Sequence, residues 1–437
     1  MTKSSRIELL TPAQPVHGTI RPPGSKSITN RALVCAALAS GTSVLRGALE
    51  SEDTRVMLDS LQRLQIPVVE EDRGETLRVT GCGGKIPVPG AELFCANSGT
   101  TIRFLSALVA LGQGRFRLDG VERMRQRPIR DLLDALAQFQ IDAKSELDTG
   151  CPPVVIQAHG IPGGVARIRG DVSSQFLSGL LLAAPYAQSD VVLQVDGELV
   201  SQPYVTMTLA VMRAFGVELA GDDLTRFVIP GKRCYQGLEY DIEPDASAAS
   251  YFWGAAAIAG GEVTVQGLTP QALQGDVGFV NCLRQMGASV RSTAEGLTVS
   301  GRGAKGIDVD MNGISDTAQT LGVVALFAEG PTTIRGVGHI RHKETDRIGD
   351  LARELRKFGA VVEEFADGLR IQPPPSFADF RGAEIETYND HRMAMSFALA
   401  ALRLPGVVLR NPQCTEKTYP RFFEDFCRLT GCGVKVL

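Results

Sequence analysis

The sequence has few of the features that mark metal, redox or secreted proteins. Its 437 residues include five histidines, one tryptophan and nine cysteines, and no two cysteines form a CxxC pair. No HExxH motif occurs, which argues against a zinc enzyme. An odd number of cysteines without paired spacing is typical of reduced thiols in a cytoplasm. We therefore expect a cytoplasmic protein.

Long apolar runs and an excess of one charge are also missing. No run approaches the roughly 18 apolar residues of a membrane-spanning helix, and the first ten residues lack the apolar core of a signal peptide. Forty-five basic residues stand against 49 acidic ones, so no broad basic surface for nucleic acid is predicted. The composition indicates a soluble globular protein that binds neither a membrane nor nucleic acid.

What the sequence does contain is one pattern repeated six times. Each copy opens with small or polar residues, continues into an apolar helix and closes in an alternating strand, and a second helix and a strand pair follow. The copies are about 70 residues apart, longer than the 20–50 of ordinary solenoids. Free N–H groups and the helix dipole at each helix start favour anions. The copies begin near Pro23, Ala96, Gly170, Pro244, Asn312 and Tyr388.

Proline and glycine interrupt this pattern at residues 18–26 and 240–247. An X-Pro step disfavours helix and suits an extended crossover between domains. We therefore predict two domains of three copies each. Residues 21–244 form a continuous domain, and residues 1–20 together with 245–437 form a discontinuous one. The opening strand would then complete the domain built from the last three copies.

The first copy carries a candidate anion site in PGSKSITNR, residues 23–31. On a helix Ser27 and Arg31 lie one turn apart on the same face, close to Lys26 at the positive helix end. Lysine can act as a point charge on a phosphate, whereas arginine offers a forked donor. A capped helix with solvated charges is the alternative interpretation.

Two further stretches of the first half contain hydrogen-bond donors for anions. Residues 115–130 include six arginines, which suit a bidentate grip on a carboxylate or phosphate. Ser173, Ser174 and Gln175 open the third helix with uncharged polar groups, and Ser201 follows on the next loop. A solvated basic loop and simple helix caps remain the alternatives.

The densest charge pattern is RHKETDR, residues 341–347. If this stretch is helical, Lys343 and Arg347 are like charges one turn apart, which is mildly destabilising without an anion between them. Glu344 beside these cations should stay ionised and could accept or donate a proton. The alternative is a solvated, charged helix start.

Asp316 occupies the fifth helix start, and Asp390-His391-Arg392 the sixth, followed by Lys417 on a later loop. A lone aspartate there is usually only a cap, so its role depends on whether these charges converge. The stretch 301–306 fits the letters GxGxxG, but no helix pattern follows it, and no GxxxxGK[ST] occurs. The residues alone suggest an enzyme for two phosphorylated or carboxylated small molecules, without naming the reaction.

In combination these motifs resemble those of the 5-enolpyruvylshikimate-3-phosphate synthases, the 3-phosphoshikimate 1-carboxyvinyltransferases. The similarity covers the full length, and NSGTTIR and KETDR are its most specific motifs. It implies a mixed α/β fold, a two-domain inverse α/β barrel in which each domain has three βαβαββ repeats and the domains close over the substrates. It implies a monomer that uses shikimate 3-phosphate and phosphoenolpyruvate, with no metal and no organic cofactor. The matching motifs of this sequence are PGSKSITNR, NSGTTIR, RMRQRPI, DVSSQ, LVSQPY, RHKETDRI, YNDHRMAM and CTEKTYP.

The resemblance also implies which residues would act. Asp316 and Glu344 would transfer protons, with Lys26 as a further catalytic residue. The 5-hydroxyl of the acceptor would attack the enol carbon while the methylene is protonated, and the adduct would then expel phosphate. The residues implied for shikimate 3-phosphate are Lys26, Ser27, Arg31, Ser173, Ser174, Gln175, Ser201, Asp316 and Lys343. Those implied for phosphoenolpyruvate are Lys26, Gly99, Arg127, Gln175, Arg347, Arg392 and Lys417.

Three positions depart from the family pattern. His339 stands where many members have asparagine, Ala96 where glycine or asparagine is more usual, and Phe104 where the best-known bacterial members have proline. The last change is expected to affect inhibitor fit more than activity.

Two alternatives are carried forward. One is a UDP-N-acetylglucosamine carboxyvinyltransferase, a family with a reactive cysteine in its mobile loop. The corresponding loop here, residues 122–130, contains none. The other is a non-catalytic repeat protein that binds a metabolite. The carboxylates Asp316 and Glu344 argue against it, because anion binding needs no additional negative charge.

Overall fold

The computed structural model describes residues 6–219, 224–302 and 305–437. Residues 1–5 of the predicted discontinuous domain and residues 303–304 of the GxGxxG-like stretch lie outside the described residues. None of the helices in the described parts of the chain is long and apolar enough to cross a membrane. The α-helices there are α1 Lys26–Leu38, α2 Glu52–Arg63, α3 Gly99–Val109, α4 Arg130–Gln138, α5 Ser174–Ala183, α6 Gln202–Ala214, α7 Ala246–Ala259, α8 Phe279–Gln285, α9 Ala318–Ala325, α10 Arg347–Lys357, α11 His391–Ala398 and α12 Phe422–Thr430.

Short strands alternate with these helices. In chain order they are β1 Arg6–Leu10, β2 Val16–Ile20, β3 Thr42–Arg46, β4 Val68–Glu71, β5 Thr76–Thr80, β6 Gly90–Phe94, β7 Gln113–Asp119, β8 Asp142–Ser145, β9 Val154–His159, β10 Gly164–Arg169, β11 Val191–Asp196, β12 Arg226–Ile229, β13 Glu239–Asp241, β14 Gly261–Gln266, β15 Ser289–Ser292, β16 Gly296–Ser300, β17 Asp308–Asp310, β18 Thr332–Arg335, β19 Val361–Phe365, β20 Gly368–Gln372, β21 Glu384–Ile385, β22 Val407–Arg410 and β23 Gly433–Val436.

Each of the six predicted copies contributes two helices of different character. The first is almost wholly buried: every residue of α7 except the last is inside the protein. The second is amphipathic, as in α10, where apolar residues face inward and Arg353 and Arg356 face outward. Serine or aspartate caps α1, α3, α5, α7 and α11, each accepting a hydrogen bond from an N–H of the first turn. Five of the six first helices thus start at polar caps, as the sequence pattern predicts, and α9 is the exception.

The chain divides into two compact units. One is continuous, Gly24–Glu243, and contains sheets with strand orders β13-β3-β5-β4, β6-β7-β9-β8 and β10-β11-β12. In the second of these, β6 and β7 are parallel, and β9 is antiparallel to both β7 and β8. With α3 and α4 between them, these strands form one βαβαββ repeat.

The other unit comprises the described residues up to Pro23 and those from Pro244 onward. Its sheets have strand orders β15-β16-β14-β2, β17-β18-β20-β19 and β21-β22-β1-β23. The opening strand β1 lies between two strands of the sixth repeat, so that Ile7 faces Leu409 on one side and Val436 on the other. Buried apolar side chains form one core within this unit, including Trp253, whose indole N–H donates to the carbonyl of Leu297 at 3.1 Å.

These sheets and helices confirm the predicted mixed α/β class. The fifth repeat differs in detail from the expected pattern, because its polar start is a 3-10 helix, Asn312–Thr317, ahead of α9. The difference matters for the site, since Asp316 lies in that 3-10 segment.

Candidate active site

The start of α1 brings a lysine and an aspartate together. The side-chain oxygen of Ser25 caps the helix by accepting a hydrogen bond from the N–H of Ile28 at 3.4 Å. Lys26 is the first helical residue, and its Nζ lies 3.3 Å from Oδ2 of the almost fully buried Asp53. The ammonium is therefore held at a helix start, where the dipole favours an anion.

Arg31 lies inside the continuous unit instead of on its surface. Its Nε donates to Oγ1 of Thr208 at 2.7 Å, and its Nη1 donates to the carbonyl of Ser27 at 2.9 Å. Its Nη2 donates to the carbonyl of Tyr204 at 3.0 Å, and the guanidinium lies 5.2 Å from the centre of the Phe104 ring. Burial lowers the pKa of Arg31 to about 10, so it remains a cation at neutral pH. Ser27 and Arg31 share one helix face, as their spacing predicts.

Two arginines flank the start of α3. A Cβ added to Gly99 would lie 2.4 Å from Nη2 of Arg127 and 2.9 Å from Nη1 of Arg103. Arg127 is 2 % exposed, and its Nη1 donates to the carbonyl of Asn97 at 2.9 Å. Nη1 of Arg103 donates to Oε1 of Gln175 at 2.6 Å. Arg103 therefore joins the predicted residues Gly99, Arg127 and Gln175 in one cluster.

The six arginines of residues 115–130 do not act together. Arg127 is buried, whereas Arg125 is exposed and forms two hydrogen bonds with Asp119, at 2.7 and 3.0 Å. Asp119 is buried, but the guanidinium of Arg125 stays half exposed to water, which screens the pair. The interpretation as a solvated basic loop therefore fits Arg125, while Arg127 has the buried position expected of a ligand-binding arginine.

The starts of α5 and α6 present the predicted serines. The side chain of Ser173 caps α5 by accepting from the N–H of Gln175 at 3.3 Å, and Ser174 is 6 % exposed. The amide of Gln175 donates to Oγ1 of Thr100 at 3.3 Å. Ser201 precedes α6 with a left-handed backbone, φ 54°. That conformation is strained for a residue other than glycine, and such strain is often found at functional sites.

In the discontinuous unit, Arg347 lies at the centre of three carboxylates. It is 1 % exposed, and its Nε lies 2.7 Å from Oδ2 of Asp390. Its Nη1 lies 3.2 Å from Oδ1 of Asp316, and its Nη2 lies 2.7 Å from Oε2 of Glu344. Although burial opposes the charge, these carboxylates, Asp390 foremost, raise the pKa of Arg347 above its ordinary value. The side chain is therefore a permanent buried cation.

Asp316 accepts hydrogen bonds from cations on several elements. Its Oδ2 accepts from Nη2 of Arg392 at 2.7 Å, and its Oδ1 accepts from Nζ of Lys343 at 3.3 Å. Burial lowers the pKa of Lys343, which makes its proton easier to release. The expectation that Asp316 marks an α-helix start is wrong, because α9 begins two residues later. Its carboxylate contacts these cations instead of capping the helix.

Glu344 and Lys417 extend the same network. Oε1 of Glu344 lies 3.9 Å from Nζ of Lys417, and both side chains are buried. A helical interpretation of residues 343–347 is wrong, because Asp346 caps α10 and the helix begins only at Arg347. Lys343 and Arg347 nevertheless share an anion, as their like charges require: both contact Oδ1 of Asp316.

His339 lies beside this network as a neutral imidazole. Its Nε2 is 3.0 Å from Oγ of Ser315. Burial, and then the positive charge of Lys343, lower the pKa of His339 to about 3. A neutral imidazole can donate or accept a hydrogen bond as an asparagine amide can. The departure from the family's asparagine therefore adds no charge at neutral pH.

The structure thus groups most of the predicted residues and adds two that the sequence analysis missed, Arg103 and Asp53. Asp390, noted in sequence at the sixth helix start without a role, is found in contact with Arg347. The available signal for Arg103 was a single charged residue within the otherwise uncharged helix α3. In the parts of the chain that the structure describes, no group of histidine, cysteine and acidic residues is arranged to hold a metal. In the discontinuous unit, six predicted residues form one network: Asp316, Lys343, Glu344, Arg347, Arg392 and Lys417.

Comparisons with known proteins agree on one family. A profile of EPSP synthase (3-phosphoshikimate 1-carboxyvinyltransferase) matches residues 10–426. A 3-phosphoshikimate 1-carboxyvinyltransferase from Nostoc punctiforme is 47 % identical over 424 residues, covering 97 % of this chain and 99 % of the relative. One from Nitrosomonas europaea is 47 % identical over 423 residues, covering 95 % and 97 %. A solved EPSP synthase from Acinetobacter baumannii superposes with a TM-score of 0.82 at 26 % identity, covering 99 % of this chain and 100 % of that one.

Proposed function

The chain belongs to the EPSP synthase family, the 3-phosphoshikimate 1-carboxyvinyltransferases, and we propose that the residues described above divide the two substrates of that reaction between them. The reaction transfers the carboxyvinyl group of phosphoenolpyruvate to the 5-hydroxyl of shikimate 3-phosphate and releases phosphate. It is a step of aromatic amino-acid biosynthesis. The rival assignment to a UDP-N-acetylglucosamine carboxyvinyltransferase is not favoured by these relatives.

Shikimate 3-phosphate is assigned to uncharged donors, three cations and one carboxylate. In support, hydroxyls and an amide lie at helix starts, which suit the ester phosphate and the ring hydroxyls. Arg31 is assigned an indirect share in binding, because its hydrogen bonds to α6 hold the start of α1 in place. The full set is Lys26, Ser27, Arg31, Ser173, Ser174, Gln175, Ser201, Asp316 and Lys343.

Phosphoenolpyruvate is assigned to the more basic set. Guanidinium groups bind carboxylates and phosphates through two parallel hydrogen bonds, and Arg127, Arg347 and Arg392 are all buried. Removed from water, such cations stabilise the charge that develops when phosphate leaves. To these arginines we add Lys26, Gly99, Gln175 and Lys417, and Arg103 because of its contact with Gln175.

Proton transfer is assigned to two carboxylates. Asp316 would accept the proton of the attacking 5-hydroxyl, and Glu344 would deliver a proton to the methylene carbon and later remove one. The observation that carries this assignment is the Arg347 network: one buried guanidinium fixes both carboxylates, at 3.2 and 2.7 Å. Fixed geometry of this kind is a large part of catalytic power.

Residues 1–20 with 245–437, and residues 21–244, are proposed as the two domains of a cytoplasmic monomer. The boundaries lie within a few residues of the two compact units. The nine cysteines are free thiols, in keeping with a reducing compartment.

Glu344→Gln tests the acid–base assignment. The amide keeps the size and an acceptor oxygen for Arg347 but cannot shuttle a proton, so we expect kcat to fall about 10²–10⁴-fold with little change in substrate Kd. Asp346→Asn, two residues away in the same motif, is the control: asparagine also caps helices, and kcat should stay within about twofold of the unchanged enzyme. Near-normal turnover of Glu344→Gln would remove Glu344 from proton transfer.

A phosphate-release assay tests the substrate assignment. With phosphoenolpyruvate present, release is expected with shikimate 3-phosphate and not with UDP-N-acetylglucosamine. Release only with the UDP-sugar would overturn the assignment. Tight binding of both expected substrates without turnover would favour the non-catalytic alternative.

A further inference from the structure

The turn that leads into α11 is strained. Tyr388 and Asn389 are consecutive non-glycine residues with left-handed backbone, φ 53° and 54°. That region is unfavourable for a bulky L-residue such as tyrosine. The turn ends at Asp390, whose N–H donates to the carbonyl of Thr387 at 2.8 Å and whose carboxylate contacts Arg347. Such strain persists only where neighbouring contacts enforce it.

A buried carboxylate on α10 provides those contacts. Glu354 is 0 % exposed, and the hydroxyl of Tyr388 donates to its Oε1 at 2.7 Å. The N–H of Glu386 donates to Oε2 at 3.0 Å, and Nζ of Lys357 contacts the same oxygen at 2.5 Å. Nη1 of Arg353 donates to the Tyr388 hydroxyl at 3.1 Å. A buried charge is costly unless it is paired and hydrogen-bonded, and Glu354 is both.

The helix α10 therefore holds the strained turn at two points. Arg347 and Glu354 are seven residues apart, which is two helical turns, so they lie on the same side of α10. Arg347 binds Asp390 at the end of the turn, and Glu354 binds Tyr388 within it. These two contacts together fix the position at which α11 begins.

We propose that Glu354, acting through the Tyr388 hydroxyl, is a positioning residue for phosphoenolpyruvate. The inference rests on the proposed function, which assigns Arg347 and Arg392 to that substrate. Arg392 is the second residue of α11, and its N–H donates to Oδ1 of Asp390 at 2.9 Å. A turn that relaxes would move Asp390 and withdraw Arg392, at the start of α11, from the geometry that grips the substrate. Arg347 would stay held by Asp316 and Glu344, so the proton-transfer carboxylates would keep their places.

Steady-state kinetics of Tyr388→Phe test this role. The variant keeps the ring and removes the hydroxyl bond. We expect KM for phosphoenolpyruvate to rise about tenfold, which is about 1.4 kcal/mol, with kcat and KM for shikimate 3-phosphate within about twofold. Glu354→Gln retains an acceptor oxygen for the hydroxyl and should show a smaller rise, about threefold. Tyr235→Phe is the matched control, because it removes a buried hydroxyl bond of 3.0 Å to the carbonyl of Leu182 in the other unit.

The double variant Tyr388→Phe/Asn389→Gly separates positioning from a loss of stability. Glycine takes the left-handed conformation without steric cost, so the turn should keep its shape and KM should recover to within about threefold of the unchanged enzyme. Failure to recover, or an equal rise of both KM values in Tyr388→Phe, would overturn the positioning role. If Tyr388→Phe does not fold, the test rests on Glu354→Gln alone. An unchanged KM for phosphoenolpyruvate in Glu354→Gln would then reject the positioning role.

Arg392→Ala, measured in parallel, distinguishes the two levels of inference. A raised KM for phosphoenolpyruvate in Arg392→Ala with no change in Tyr388→Phe overturns only the positioning role. An unchanged KM in Arg392→Ala overturns the assignment of that substrate and, with it, this inference.

Discussion

A single side chain, His339, links the site to the stability of the fold. Its pKa of about 3 lies far below the ordinary 6.5, because burial and Lys343 disfavour the imidazolium. Between these values the unfolded chain binds a proton that the folded chain does not. The free energy of unfolding is therefore independent of this group above pH 6.5. It falls progressively as the pH is lowered from 6.5 toward 3.

We expect His339→Asn to weaken this pH dependence while leaving activity at neutral pH nearly unchanged. The half-buried ring should make the free energy of unfolding fall by about 1 kcal/mol per pH unit below pH 6.5. Urea unfolding at pH 7 and pH 5 measures the difference. His17→Asn, at an exposed position of β2, is the control and should behave like the unchanged protein. Identical pH profiles for His339→Asn and the unchanged protein would contradict the expectation.

The site requires a residue without a side chain at Gly99, and the single methyl group of alanine tests this requirement. In Gly99→Ala the new Cβ would lie 2.4 Å from Nη2 of Arg127 and would push that side chain aside. Because a side-chain end moves more easily than backbone, we expect the variant to fold and its KM for phosphoenolpyruvate to rise about tenfold. In the control Gly278→Ala, the added methyl meets Cγ2 of Ile314 at 3.4 Å, an ordinary contact. Steady-state kinetics of the two variants test this expectation. Equal KM values for phosphoenolpyruvate in Gly99→Ala and Gly278→Ala would argue against Arg127 as a ligand.

At the scale of the element, the turn before α3 shows how a helix start can carry strain. Ala96 has a left-handed backbone, φ 45°, and its carbonyl accepts from the N–H of Val121 at 3.1 Å. This conformation costs an L-residue about 1–2 kcal/mol, and glycine avoids it at a smaller entropic cost. The family preference for glycine or asparagine at this position thus has a physical reason.

Ala96→Gly should accordingly raise the free energy of unfolding by about 0.5–1 kcal/mol. The same exchange at the exposed, helical Ala137 should lower it by about the same amount, since glycine weakens a helix. Thermal or urea unfolding of the two variants shows whether each substitution raises or lowers the free energy of unfolding. Destabilisation by both substitutions would show that the turn gains nothing from glycine.

The sequence pattern predicted the elements better than it predicted side-chain partners. Helix caps and apolar periodicity are local, so the starts of α1 and α5 could be read directly. The partners of Arg347 could not be predicted from the sequence, because Asp390 is 43 residues away in the chain and comes close only when the protein folds. The six arginines of residues 115–130 look equivalent in sequence, and burial alone separates Arg127 from the rest.

At the scale of the whole molecule, the sheets divide cleanly between the two units. All strands of the sheets in Gly24–Glu243 belong to that segment, whereas the other unit takes β1 and β2 from the opening residues. We therefore expect a fragment of residues 24–243 to fold alone with cooperative thermal unfolding, because it retains its own core. The matched fragment 244–437 lacks a central and an edge strand and should remain largely unfolded. Circular dichroism would distinguish them, and an unfolded 24–243 fragment would contradict the prediction.

The place of β1 between β22 and β23 has a consequence for biosynthesis. The strand β1 is synthesised roughly 400 residues ahead of its neighbours, an interval on the order of tens of seconds at ordinary translation rates. During that interval the nascent chain carries an unpaired strand with apolar residues, a feature that invites wrong pairing. The continuous unit can fold on the ribosome, whereas the discontinuous unit cannot complete this sheet until β22 and β23 have been synthesised. We therefore expect chaperones to bind mainly the discontinuous unit during synthesis, because that unit contains β1.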